Sequence, residues 1–95
     1  MEKIVVTRHK ALYEYLIHNE YVDSETKVIS HATADDVRGK HVYGVLPMRL
    51  ASEAALLTEV SMEIPFEKRG VQLSVEDIET FHPTLTTYKV KKIWD

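Results

Sequence analysis

Ninety-five residues, 44% apolar and 28% charged, are enough for one domain spanning positions 1–95 in which every apolar element shares a core. Cysteine is absent, which excludes a disulfide scaffold, a thiolate nucleophile and any Cys-based zinc or iron–sulfur site. Twelve basic against fifteen acidic residues leave a net charge of −3, which removes the broad basic surface of a duplex-DNA binder but not a local anion pocket.

No apolar run approaches the roughly 20 residues of a membrane span. The start, Met1-Glu2-Lys3-Ile4-Val5-Val6, reads as a strand rather than a signal peptide. A soluble intracellular protein is expected. Lys3–Thr7 is β-branched and almost continuously apolar, as in a strand covered on both faces. From His9 to Asn19 the apolar period changes, with Leu12 and Leu16, and Tyr13 and Ile17, four apart on one helical arc. Lys27–His31 predicts a second strand, Ala32–Asp36 a loop or single turn, and His41–Leu46 a third strand. Pro47 then suits the first position of a helix running to about Leu57, with Leu50, Ala54 and Leu57 facing inward. Glu59–Ile64 alternates with period two and ends at Pro65, which predicts a fourth strand. Ser74 and Asp77 match a capping box opening a short helix from Val75 to Phe81. The Lys-rich alternation of Thr86–Ile93 predicts a protected edge strand.

This order implies an α/β fold: a small, open, mostly parallel Rossmann-like sheet of four or five strands, with helices on both faces. Ligands in such sheets bind beyond the carboxyl ends of the strands, at the point where strand order reverses. Thr7-Arg8-His9-Lys10 and Leu46-Pro47-Met48-Arg49 fall there. A helix start carries partial positive charge and favours acidic residues, yet the first helix opens with Arg8, His9 and Lys10. An anion bound there reconciles dipole and cations; side chains that simply reach into water are the competing account. Arg49 repeats the pattern at the second helix, and Lys68-Arg69-Gly70 could fold over a ligand or form a solvated loop. His9 is the histidine placed beside this edge, with an ordinary pKa suited to proton transfer near neutrality. No Gly-x-Gly-x-x-Gly, P-loop or serine elbow occurs, and the histidines form no paired metal motif.

Val6-Thr7-Arg8-His9, Gly44-Val45-Leu46-Pro47 with Leu50-Ala51-Ser52-Glu53, and Arg69-Gly70 with Leu73–Asp77 resemble, in order and spacing, the small Csx-sixteen family of type III CRISPR accessory proteins. The resemblance spans about residues 4–80. It implies a CARF-like domain of a cytoplasmic, prokaryotic ring nuclease that binds and linearises cyclic tetra-adenylate, switching off antiviral signalling. Metal-independent attack by the ribose 2′-OH, as in several unrelated ring nucleases, suits a chain without a paired metal motif, and no cofactor, DNA or membrane partner is expected. Mapped onto this chain, Arg8 would hold the phosphate and His9 would be the general acid, with His31 or Lys68 next in line. Thr7, Lys10, Pro47, Arg49, Ser52, Lys68 and Arg69 are candidates for substrate binding. A homodimer is expected, because two copies related by a dyad present Arg8 and His9 twice to one symmetric ring. A non-catalytic sponge for the ring and a binding subunit of the CRISPR complex remain the alternatives.

Overall fold

A computed structural model describes residues 1–94. Five strands, β1 (Lys3–Val6), β2 (Lys27–Ile29), β3 (His41–Gly44), β4 (Leu56–Ser61) and β5 (Thr84–Tyr88), form one sheet in the order β2-β1-β3-β4-β5. The first four run parallel and β5 pairs antiparallel with β4 at the edge. Helices α1 (Lys10–His18), α2 (Ala34–Val37), α3 (Met48–Ala51) and α4 (Val75–Thr80) connect them. The architecture is the small, mostly parallel α/β sheet that the alternation of elements predicts. No helix among the described residues is long and apolar enough to cross a membrane.

Strand β1 lies at the centre, and its continuous apolar run is explained by burial on both faces. Val5 points into a core with Leu12, Tyr15 and Leu16 of α1, Tyr43 of β3 and Ile78 of α4. Ile4 and Val6 point the other way, into a second core with Val37, Val42, Leu50 and Ala54. Helices α1 and α4 thus cover one face, and α2 and α3 the other. Two of the short helices are held by reciprocal caps. Ser74 and Asp77 exchange hydrogen bonds at 3.0 and 3.1 Å, as the sequence pattern predicts. Thr33 and Asp36 do the same at 2.8 and 3.4 Å, which selects the single turn from the two readings of this segment, a loop or a turn.

Several boundaries differ from the sequence reading; β2 and β3 each end two residues early, at Ile29 and Gly44. The helix after Pro47 stops at Ala51 instead of Leu57, and Pro47 is its N-cap rather than its first residue. Strand β4 begins at Leu56 and ends at Ser61, three residues earlier than expected. The reason is that Leu50, Ala54 and Leu57 do share one core, as predicted, but reach it from a helical turn, a bridge and a strand. A spacing of three or four fits both descriptions; pairing of His41 with Leu56 and of Thr58 with Thr87 selects the strand. The edge strand β5 runs from Thr84 to Tyr88 instead of from Thr86 to Ile93, so Lys89, Lys91 and Lys92 all lie beyond it. One of them, Lys89, donates from Nζ to the Ala54 carbonyl at 3.2 Å and pins the tail beside α3.

At the opposite end of the sheet from the predicted site, a polar chain crosses three strands. His41 Nε2 lies 2.6 Å from Thr58 Oγ1, which lies 2.7 Å from Thr87 Oγ1, and the His41 ring stacks on Tyr43 at 4.4 Å. Burial, with Lys3 nearby as a lesser cause, holds the His41 pKa below its ordinary value. The unfolded chain therefore takes up a proton more readily than the folded one. The contribution of His41 to stability is complete above about pH 6.5 and is lost progressively as the pH drops below it. Urea midpoints should decrease from pH 7.5 to pH 5, and His41→Gln should flatten part of that slope. Equal slopes for both proteins would remove His41 from the account.

Candidate active site

The chain bends sharply where β1 ends. Thr7 N–H still pairs with the Ile29 carbonyl of β2 at 2.9 Å, and Thr7 Oγ1 accepts the His9 N–H at 3.1 Å. That bond turns the backbone so that His9 becomes the N-cap of α1. Its side chain caps nothing, and no acidic residue occupies the first turn. The positive end of the helix thus meets cations and no carboxylate in its first turn, the electrostatic arrangement of an anion site. Lys10 is drawn away along the helix, 3.7 Å from Glu14, which leaves Arg8 and His9 at the mouth.

Arg8 and His9 line a cleft of about 310 Å³ with Val6, Thr7, Ser30 and Val45. It lies beyond the carboxyl ends of β1, β2 and β3, where the connection from β1 runs to β2 on one side and that from β3 runs to β4 on the other. Next to its lining residue Val45, Gly44 pairs with Val6 and has φ of +135°. A β-carbon at that position would lie 2.0 Å from the Val6 carbonyl oxygen. Gly44 was not among the expected site residues. The available signal was a glycine inside an otherwise apolar strand, which often marks a close approach of two backbones.

A second cleft, of about 270 Å³, shares His9 with Lys68 and Arg69. Residues Phe66–Lys68 form a 3-10 turn after β4, tied down by Arg69 Nε donating to the Ile64 carbonyl at 3.3 Å. Lys68 Nζ lies 3.7 Å from Asp77, whose carboxyl is held below its usual range by the Ser74 N–H it accepts. The fold therefore brings His9, Lys68 and Arg69 to one place from segments some sixty residues apart in the chain.

Arg49 and Ser52 lie elsewhere, in a cleft of about 350 Å³ between α3 and the tail at Val90 and Lys91. The Ser52 hydroxyl donates to the Arg49 carbonyl at 2.9 Å. Pro47 stands between the clefts, following Val45 of one and preceding Met48 of the other. His31 is exposed and follows Ser30 of the first cleft. The arginines divide clearly by environment. Arg38 is paired with Asp35 and Glu53, whereas Arg8, Arg49 and Arg69 have no carboxylate partner among the described residues. No group of three His, Asp or Glu side chains among the described residues converges as a metal site.

Neither the curated proteins nor the solved structures contain a match to this chain. Residues 4–91 match the family model described as "Putative CRISPR-associated protein (Cas_VVA1548)". The match covers nearly the whole sheet, including both segments at the carboxyl edge. With that coverage, the chain belongs to the CRISPR-associated family Cas_VVA1548.

Proposed function

We propose that this protein binds cyclic tetra-adenylate and linearises it, acting as a metal-independent ring nuclease that switches off type III CRISPR signalling. The observation that carries the reading is the meeting of unpaired Arg8, His9 and the uncapped start of α1 at the point of strand reversal. The resemblance to the Csx-sixteen family supports the same reading. In the reaction the ribose 2′-oxygen forms a bond to phosphorus as the bond from phosphorus to the 5′-oxygen breaks. Arg8, planar and always charged, stabilises the negative charge that grows on the phosphoryl oxygens. His9 gives a proton to the departing 5′-oxygen, and the 2′-OH proton leaves to solvent. The products carry a 2′,3′-cyclic phosphate and a 5′-OH. A CARF-like homodimer would present two such sites to opposite phosphates of one ring.

One observation favours a second reading, a sponge that binds the ring without turning it over. The His9 imidazole makes no hydrogen bond among the described residues, so none of them sets its tautomer or orientation. Incubation of the protein with radiolabelled ring in excess EDTA separates the two. Linear products with 2′,3′-cyclic phosphate ends are expected, at the rate seen without chelator. Intact ring retained by the protein would establish the sponge, and dependence on added magnesium or manganese would overturn the mechanism. Absence of heat in a calorimetric titration would leave only the binding-subunit role. Light scattering should give a dimer mass at working concentration; a monomer mass unchanged by the ring would remove the twofold site.

A further inference from the structure

The cleft between α1, α4 and the Pro65–Gly70 segment has apolar walls and a cationic mouth. Leu12, Met62, Ile64, Leu73 and Ile78 line its interior, while His9, Lys68 and Arg69 stand at its rim. Ile78 and Leu12 belong to the main core, so the floor is rigid. The outer wall is held by the Lys68–Asp77 pair and by the Arg69–Ile64 bond. A free phosphate would use only the rim, and a purely apolar ligand would use only the walls. The arrangement suits a flat apolar body joined at short range to an anion. A space of about 270 Å³ limits that body to a small molecule or one moiety of a larger one. His9 fixes the direction, because it also lines the cleft of Arg8 and Thr7 at the end of β1.

We propose that this apolar cleft takes one adenine base of the ligand, with the attached phosphate lying at His9 and Arg8. The inference rests on the reading given under Proposed function and adds to it the place and the chemistry of base recognition. Aliphatic side chains clasp the faces of the base, and the Lys68–Arg69 segment closes over its sugar–phosphate edge. Val71 lies at the lip and is 53% exposed, so it can be enlarged without disturbing the core.

Methyl-labelled protein titrated with cyclic tetra-adenylate and, separately, with adenosine 5′-monophosphate tests this. Nuclear Overhauser contacts are expected from adenine protons to the methyls of Leu12, Leu73 and Ile78. Val71→Trp should weaken ring binding by about tenfold, a loss of about 1.4 kcal/mol. A ring that binds without touching those methyls overturns the base pocket and leaves the ring-nuclease reading intact. Monophosphate contacts without ring binding support the pocket and overturn the ring reading. Binding of neither overturns both. If Val71→Trp does not fold, the wild-type contacts still decide.

Discussion

Replacement of His9 by alanine should lower the rate of ring cleavage by roughly 10²–10⁴ while ring binding survives, because proton delivery to a leaving group is worth about that much. His9 is exposed and its side chain supports no helix cap, so the variant should keep the wild-type fold. Arg8→Ala should fail differently. The guanidinium has no carboxylate partner among the described residues and faces the cleft, so its loss weakens binding and slows cleavage together. Calorimetry with uncleaved ring and single-turnover assays measure the two effects apart. If His9→Ala cleaves within a fewfold of wild type, the acid lies elsewhere. His31, beside Ser30 of the same cleft, and Lys68, across the second one, are then replaced in turn.

Gly44→Ala should be among the most destabilising single substitutions in the chain. The new β-carbon would meet the Val6 carbonyl oxygen at 2.0 Å, with φ of +135° that side-chain-bearing residues rarely adopt. Neither backbone can yield easily, since Val6 and Gly44 are paired in the centre of the sheet. A loss of about 3 kcal/mol or more is expected, against a total stability on the order of 5–15 kcal/mol. For a domain of this size each kcal/mol moves the melting temperature by about 4–8 °C. Gly39→Ala provides the contrast: its φ is +73°, but nothing lies within 4 Å of the added carbon. It should cost only about 1–2 kcal/mol. Melting curves that place Gly44→Ala level with Gly39→Ala would show that β1 and β3 can separate without penalty. Any Gly44→Ala protein that does fold should bind the ring poorly, because Gly44 pairs with Val6 and precedes Val45, both of which line the cleft of Arg8.

Much of the fold is legible in the sequence, and the legible part is local. The β-branched run of β1 announced a strand buried on both faces, and Ile4 and Val5 are fully buried. The four-residue spacing of Leu12 and Leu16 announced α1, and both point into the core. Ser74 and Asp77 announced α4 through a cap that closes within one turn. The pair Thr33 and Asp36 carries the same chemistry and holds α2, with an aspartate where the usual box has Glu or Gln. The reversed charge at the start of α1 directed attention to Arg8 and His9, which the fold does place in one cleft.

Composition, period and caps thus determined from the sequence alone that this is a small α/β domain with basic residues at the start of its first helix. Such signals act over a few residues and need no partner to be read. The tertiary structure decided where α3 ends and β4 begins, because Leu50, Ala54 and Leu57 satisfy either period until β3 and β5 supply hydrogen-bonding partners. It also decided which cations share a site. Lys68 and Arg69 come to His9 because the chain turns at Phe66–Lys68 and is tied to α4, whereas Arg49 follows α3 to a separate cleft. Those outcomes depend on contacts between residues distant in the chain, whose pairing no local spacing specifies.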